Sequence, residues 1–427
     1  TVEWVEAPLP SAAAKAKAGW LLLANDDALA TAVQEALQAG GKQPVVVRPG
    51  AAFGKDGDGY TLRPDSIEDH EALFAALGAV PERIVHCGAL RGGAAAADLF
   101  DAGFALVRGI QAADPKTMPR LVFVARGSAP VDGQPVQQPA AAALFGLVAV
   151  APRELPGLEA VLVDVGADDA VADAAARVLD EALANGTPTG RVAWRAGRRF
   201  QPRRTRTPVA APAGLPKRLR EHGSYVVTGG NGGIGRALCE YLLTRAKAKV
   251  AVLSRSARHD AALVALAQRS GGDVRFVAAD VADREALAKA LADVRGAFGA
   301  IHGVFHAAGT IDDAPIASKT REQAHAVLAP KATGAANLAA LLPEGQLDVF
   351  AVFSSSSVTI APAGQSDYIA ANSALEAIAH SRRDGLVLAW GVWRDLGMAE
   401  RAYGTGSSHA ANGGHPLLGA RSDDPAG

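Results

Sequence analysis

The sequence predicts an α/β chain with two doubly wound parallel sheets, one in each half. Three observations predict it. Short apolar runs alternate with alanine-rich, helix-favouring stretches; the alternation occurs twice; and the runs are apolar throughout, as in strands covered on both faces. In the first half the runs are Trp20 to Ala24, Pro44 to Val47, Arg83 to His86, Leu121 to Val124 and Val161 to Val165. In the second they are Tyr225 to Thr228, Val250 to Leu253, Val274 to Val277, Ile301 to Phe305, Val349 to Phe353 and Leu386 to Trp390. Strands alternating with helices in this way build doubly wound units.

Composition narrows the function classes. The 427 residues are 49% hydrophobic and 20% charged, enough for two domains with sizeable cores. A formal net charge of -1 means that no global charge points to nucleic acid. Two cysteines, Cys87 and Cys239, are too few for a disulfide framework or a zinc cluster, and no metal site is expected. With no signal peptide at Thr1 to Glu6 and no apolar run of membrane-spanning length, a cytoplasmic location is expected. The missing initial methionine reads as a piece cut from a longer polypeptide. Arg195 to Arg220 holds nine Lys or Arg and no acid, and reads as a solvated basic linker or, more sharply, a contact for an acidic partner; nucleic acid comes third, since the stretch has no interleaved aromatics beyond Phe200. The expected division is a structural part at 1–220, which includes that linker, a catalytic part at 221–400 and a flexible tail at 401–427.

The halves differ after their first long strand. Half one continues Asn25-Asp26-Asp27-Ala28, without glycine. Half two continues Thr228-Gly229-Gly230-Asn231-Gly232-Gly233-Ile234-Gly235 and then enters a helix. Backbone without side chains approaches a pyrophosphate closely, and a helix N-terminus offers it N–H groups. Half two therefore reads as the dinucleotide-binding, Rossmann-like unit and half one as a degenerate structural copy. The next strand ends in Ser254-Arg255, where an acid would favour NAD; an arginine favours the 2′-phosphate of NADPH. Asp280-Val281 follows the third strand, where an acid faces the adenine amino group or caps the following helix. Ala307-Ala308-Gly309 are small enough for the cofactor ribose to lie close, and His306 before them reads as a packed core histidine.

Carbonyl chemistry is written in Tyr368 and Ser355. Asn372, four residues after the tyrosine, shares its helix face, and Ser355 lies thirteen residues upstream at a strand end. Two hydroxyls converging on one pocket suit a carbonyl oxygen: one positions it and the other protonates it. Lys331, on the helical stretch Arg321 to Leu341, has alanine and leucine at most neighbouring positions, which favours an inward lysine. A cation near the tyrosine would lower its pKa.

These residues resemble the ketoreductase domain of type I polyketide synthases, a branch of the short-chain dehydrogenase/reductase superfamily. Free-standing relatives carry lysine four residues after the tyrosine; this branch exchanges the lysine and asparagine. Lys331, Ser355, Tyr368 and Asn372 match the exchanged pattern. Phe353 to Ser355, Gly364-Gln365-Ser366-Asp367-Tyr368, Ala389 to Trp393 and Gly397-Met398 also match. In half one, Ala142 to Leu147, Glu154 to Pro156 and Arg195 to Phe200 resemble the family's structural subdomain. The resemblance implies NADPH-dependent reduction of a β-keto group on an acyl chain carried by an acyl carrier protein, beside neighbouring synthase domains. It implies that Lys331 tunes the tyrosine and anchors the nicotinamide ribose, and that Asn372 holds the lysine or a relay water. Thr310-Ile311-Asp312-Asp313 is similar to the Leu-Asp-Asp fingerprint of B-type members, which yield a 3R hydroxyl. Asp313, with Gln365, is thereby implied to direct the substrate, unless it caps the following helix. Where A-type members carry tryptophan, eight before the tyrosine, this chain has Ile360. The tail from Ala399 is short for the family's lid. His415 to Gly419 resembles the start of a dehydratase domain. The alternatives are a reductively silent ketoreductase serving as scaffold or epimerase, a free-standing short-chain alcohol dehydrogenase, which would need lysine at 372, and a non-enzymatic NADPH sensor.

Overall fold

The computed structural model describes residues 1–10, 19–184, 190–208 and 213–393. The matched Gly397-Met398 pair, the expected lid, the tail 401–427 and the dehydratase-like run therefore lie outside the described residues. The first half supplies strands β1 (Val2–Glu6), β2 (Trp20–Leu23), β3 (Val45–Pro49), β4 (Gly54–Asp56), β5 (Gly59–Leu62), β6 (Arg83–His86), β7 (Arg120–Arg126), β8 (Glu159–Val165), β9 (Gly190–Arg195) and β10 (Arg198–Arg204). They form one ten-stranded sheet in the order β1-β10-β9-β8-β7-β6-β2-β3-β5-β4. The run from β9 to β5 is parallel, and β10, β1 and β4 add antiparallel.

The second half supplies β11 (Ser224–Thr228), β12 (Lys249–Ser254), β13 (Asp273–Ala278), β14 (Gly303–His306), β15 (Val349–Ser355) and β16 (Gly385–Trp390). These form an all-parallel sheet in the order β13-β12-β11-β14-β15-β16, the doubly wound dinucleotide-binding order. Its two faces carry separate cores. Leu242, Leu243, Leu263 and Ala267 cover one face. Leu287, Leu291, Leu338, Leu375 and Ile378 cover the other. The expected two-sheet α/β fold is what the chain adopts.

One expectation is corrected. The basic stretch beginning at Arg195 is not a solvated linker along its first part. Residues Arg198–Arg204 are β10, hydrogen-bonded to β1 on one side and β9 on the other. Ala196 and Gly197, at φ 49° and 76°, make the tight hairpin turn between β9 and β10. Arg195 lies 2.6 Å from Asp164, and Arg199 pairs with Glu181, with all four side chains at most 3% exposed. Burying a charge is costly unless it is paired and hydrogen-bonded, and these four are. Both acids are distant in sequence, so the local composition, basic without acid, misrepresents the local environment.

The two halves share a core. Helix Ser366–His380 of the second half packs against helix Phe145–Glu154 and the short 3-10 segment Pro139–Leu144 of the first. Tyr368, Ile369, Ala370 and Ala374 are buried together with Leu144, Leu147, Phe100 and Leu99. Gly146 makes the contact close: a Cβ there would stand 2.0 Å from the Ser366 carbonyl oxygen and 2.6 Å from the Ala370 nitrogen. The structural half is thus seated directly on the helix that carries the candidate tyrosine.

Candidate active site

The C-terminal ends of the parallel strands of the second half gather the candidate residues. After β11 the chain turns through Gly229, at φ 70°. A side chain there would strike the backbone of Ala307 and Ala308 at 2.8 Å, and one at Gly235 would strike the Gly229 oxygen at 2.5 Å. Glycine is required at both by this close approach and, at Gly229, by the positive φ. A Cβ at Gly230 would come within 2.9 Å of Val252. The helix Gly233–Arg245 that follows is capped by Gly232 with no side-chain acceptor, so its first N–H groups are offered outward, with Gly233, Ile234 and Gly235 in its first turn. In half one the equivalent helix, Ala28–Ala39, begins differently: the Asp27 carboxylate accepts from Leu29 N at 2.8 Å. A carboxylate already fills that anion position, which excludes a phosphate more firmly than the missing glycines alone.

Around the loop, Asn231 Nδ2 donates to Ser254 Oγ at 3.0 Å, bridging the glycine loop to the end of β12. Arg255 beside it is exposed, and among the described residues no carboxylate pairs with it. Asp280 accepts from Ala282 N at 2.9 Å within its own turn, while Asp283 caps helix Arg284–Phe298. Val281 is buried, and its carbonyl accepts from Asn337 Nδ2 at 3.0 Å. Thr228 is fully buried, and its hydroxyl is committed to the protein: it lies 2.7 Å from His306 Nδ1 and accepts from Ala308 N at 3.3 Å. It fixes the Ala307-Ala308-Gly309 segment, so any help to a cofactor is indirect. Burial, reinforced by Lys331, pulls His306 down to about 4. The ring is therefore neutral, with Nε2 donating to the Lys331 carbonyl at 3.2 Å and Nδ1 accepting from Thr228. As its sequence context indicates, it is a core histidine.

Lys331 does not lie on a continuous helix. Helix Arg321–Leu328 passes into a π-helical segment, Ala329–Thr333, before helix Gly334–Leu341. Pro330 lacks an N–H and cannot close an ordinary helical turn, so the ladder widens there. The widened turn delivers Lys331 inward, 3% exposed, with Nζ donating to the Phe353 carbonyl at 3.0 Å. Gly309 makes room for it, since a Cβ there would stand 2.7 Å from Lys331 Cε. Burial pulls the ammonium down to about 8, opposed by Glu376.

Tyr368 stands in the first turns of helix Ser366–His380, 6% exposed, with Lys331 Nζ 5.5 Å from its ring centroid. Ser355 ends β15, with its Oγ 3.1 Å from Ser357 Oγ. Burial raises the Tyr368 hydroxyl above the ordinary phenol range; hydrogen bonding from Ser355 and Asn372 opposes this, and Asp313 adds to it. The expected lowering of this pKa by Lys331 is thus not met. The ammonium stands 5.5 Å from the ring centroid and gives one of its bonds to Phe353, while desolvation of the hydroxyl outweighs the hydrogen bonds that oppose it. Asn372 Nδ2 donates to the Tyr368 backbone carbonyl at 2.8 Å, and its Oδ1 is buried without a partner. It therefore holds the tyrosine's own turn, and Phe353 holds the lysine.

Asp313 and Gln365 meet: Gln365 Nε2 donates to Asp313 Oδ2 at 2.7 Å. Asp313 is not the cap of the following helix, because Thr320 and Gln323 form that capping box. Glu154, from the first half, accepts from Gly364 N at 2.7 Å and Ile316 N at 2.6 Å. It clamps the two loops that carry Gln365 and Asp313. Sequence reasoning quoted Glu154 as a family hallmark but gave it no place in the site. It missed Glu376, which accepts from Ser354 Oγ at 2.5 Å beside Ser355, and the buried pair Lys319 and Asp367. Each is an isolated charge whose partner is remote in sequence; Asp367 alone had a signal, its place beside Tyr368.

Comparison with known proteins adds two family matches: the KR domain over residues 223–395, and the Rossmann fold domain of polyketide synthase extender module SpnB over residues 2–203. The polyketide synthase GfsA of Streptomyces halstedii is 37% identical over 379 residues, covering 84% of this chain and 5% of that protein. The polyketide synthase GfsB of the same organism is 37% identical over 351 residues, covering 78% of this chain and 6% of that protein. The chain thus spans a small fraction of the length of these relatives. A solved structure described as an A1-type ketoreductase superposes with a TM-score of 0.77 at 30% identity, covering 93% of this chain and 83% of that one.

Proposed function

The chain belongs to the ketoreductase domains of modular type I polyketide synthases, and from that premise we propose that it reduces the β-keto group of an acyl chain held on an acyl carrier protein, with NADPH. The single observation that carries this reading is the convergence of Tyr368, Ser355, Lys331 and Asn372 beside a glycine loop whose helix N-terminus is uncapped. The loop fits a dinucleotide: a Cβ would clash at Gly229, Gly230 and Gly235, and no side chain caps the helix that follows. Gly229 to Gly235 would receive the pyrophosphate, with Asn231 and Ser254 at its rim. Arg255 would take the 2′-phosphate, Asp280 and Val281 the adenine side, and Ala307 to Gly309 the ribose. When bound, NADPH supplies the hydride.

The chain's own residues do the rest. Ser355 donates a hydrogen bond to the substrate carbonyl oxygen, and Tyr368 transfers its hydroxyl proton to that oxygen as negative charge develops there. A raised tyrosine pKa keeps the proton in place until then. Lys331 has three donors and uses one on Phe353; the remaining two are available to the ribose hydroxyls and, through them, to the tyrosine. Asn372 keeps the turn bearing Tyr368 in register.

The product is read as 3R, the B-type outcome. Supporting this are Asp313 in the Ile311-Asp312-Asp313 run, its contact with Gln365, and Ile360 where A-type members carry tryptophan. The proposal includes neighbouring synthase domains as partners, a cytoplasmic location and the division 1–220, 221–400 and 401–427. The family matches at 2–203 and 223–395 support that division, and the described residues contain no helix long and apolar enough to cross a membrane. The test is Y368F with a short β-ketoacyl thioester. Reduction should fall by about 10²- to 10⁴-fold, the range for a lost general acid, with NADPH affinity nearly unchanged. Full activity in that variant would sink the mechanism.

A further inference from the structure

Beneath the tyrosine lies a buried ion pair that the reduction mechanism does not use. Lys319 Nζ is 2.9 Å from Asp367 Oδ2, and the two side chains are 0% and 1% exposed. Each partner also reaches one side of the substrate cleft. Lys319 Nζ donates to the carbonyl of Asp312, adjacent to Asp313. Asp367 Oδ1 accepts from the backbone N–H of Tyr368 at 2.9 Å. The pair therefore joins the Asp312-Asp313 loop to the first turn of the tyrosine helix, parallel to the Asp313–Gln365 bond. Arg108 of the structural half steadies the same loop through the Ile316 carbonyl at 3.1 Å.

Desolvating two charges is costly, and an apolar pair of the same volume is commonly as stable or more so. What an ion pair adds over an apolar pair is a defined distance between the groups it links. The groups linked here are the proton donor and the loop that bears the carboxylate facing Gln365. A carbonyl entering between them presents one face or the other according to that spacing.

We propose that Lys319 and Asp367 are positioning residues that set the separation of the Asp313 loop from Tyr368, and thereby which face of the substrate carbonyl is reduced. The inference rests on the reduction proposed above and deepens it. Its test is the intact chain, wild type, D367N and the double variant K319M/D367N, with NADPH and a short β-ketoacyl thioester. NADPH affinity, melting temperature, KM, kcat and the enantiomer ratio of the product are measured. D367N leaves a buried ammonium without its counterion; where it fails to fold, the double variant, which removes both charges, decides. The expected result is a folded double variant with NADPH affinity within about twofold of wild type, a raised KM for the thioester and a minor enantiomer increased at least about tenfold. A folded double variant with the wild-type enantiomer ratio overturns the inference, whatever its rate. Failure of the wild-type chain to turn over would instead sink the reduction itself, so the two failures are distinguishable.

Discussion

Gly146 offers a test of whether the structural half shapes the active site or merely accompanies it. In G146A the new methyl carbon would begin 2.0 Å from the Ser366 carbonyl oxygen, 2.6 Å from Ala370 N and 2.7 Å from Ala370 Cβ. Two of these atoms are backbone, so no flexible side chain can yield. An ordinary carbon–oxygen contact needs about 3.2 Å or more, so the tyrosine helix must retreat by roughly 1 Å. Overpacking of this kind costs about 1–3 kcal/mol. At about 2–4 °C per kcal/mol for domains of moderate size, the melting temperature should fall by several degrees. The catalytic effect should be larger. Tyr368 rides on the displaced turn while Ser355 and Lys331 do not, and a misplacement of about 1 Å costs on the order of 10²-fold in rate. The assays are thermal unfolding, NADPH binding and kcat/KM with a β-ketoacyl thioester. G92A, where a Cβ meets nothing within 4 Å, is the matched control and should be neutral in all three. A G146A protein with wild-type melting temperature and kcat/KM would refute the idea that close seating of the first half positions the tyrosine.

Other consequences concern charge. Lys331, pulled down to about 8 by burial, should impose a falling limb on kcat/KM as pH rises through about 8, where the ammonium loses its proton. The stability linkage has a definite sign: between about 8 and the unfolded value of 10.5 the unfolded chain binds more protons, so this group makes stability increase with pH across that window. K331M should therefore be more stable than wild type at pH 7, with the difference shrinking towards pH 10; a gap independent of pH would contradict the buried ammonium. R255A should weaken NADPH by about 10- to 150-fold, corresponding to about 1.5–3 kcal/mol for a charge-assisted contact, and leave NADH nearly unaffected. Equal losses for both cofactors would remove Arg255 from the 2′-phosphate site.

Much of the fold was legible because its signals are local. The eleven apolar runs identified in the sequence all coincide with strands, since a fully covered parallel strand needs an unbroken apolar segment. The strands that were missed, β1, β4, β5, β9 and β10, lie towards the sheet edges or carry charges whose partners are remote. Arg195 and Arg199 look like solvated cations until Asp164 and Glu181 come into contact with them. The site divides in the same way. Tyr368, Asn372, Ser355 and the glycines occupy fixed offsets within single strand–turn–helix units, so their spacing announces them. Lys319 and Glu154 act through contacts between segments far apart in the chain and carry no such spacing, and the place of Asp367 beside Tyr368 does not disclose its partner.

The sequence by itself determined the two-sheet α/β architecture and which half has the glycine loop, because periodicity and short-range offsets encode both; the exchanged Lys–Asn pattern came from the resemblance to the family. The tertiary structure decided how these parts work on one another. It showed that Asp27 occupies the anion position of the first half, and that a proline-widened turn brings Lys331 to Phe353 and over the tyrosine ring. Burial, set against hydrogen bonds from Ser355 and Asn372, holds the Tyr368 hydroxyl above the ordinary phenol range, and the first half holds both rims of the cleft through Glu154. Those outcomes depend on desolvation and on distances between remote segments, quantities that exist only once the chain has folded.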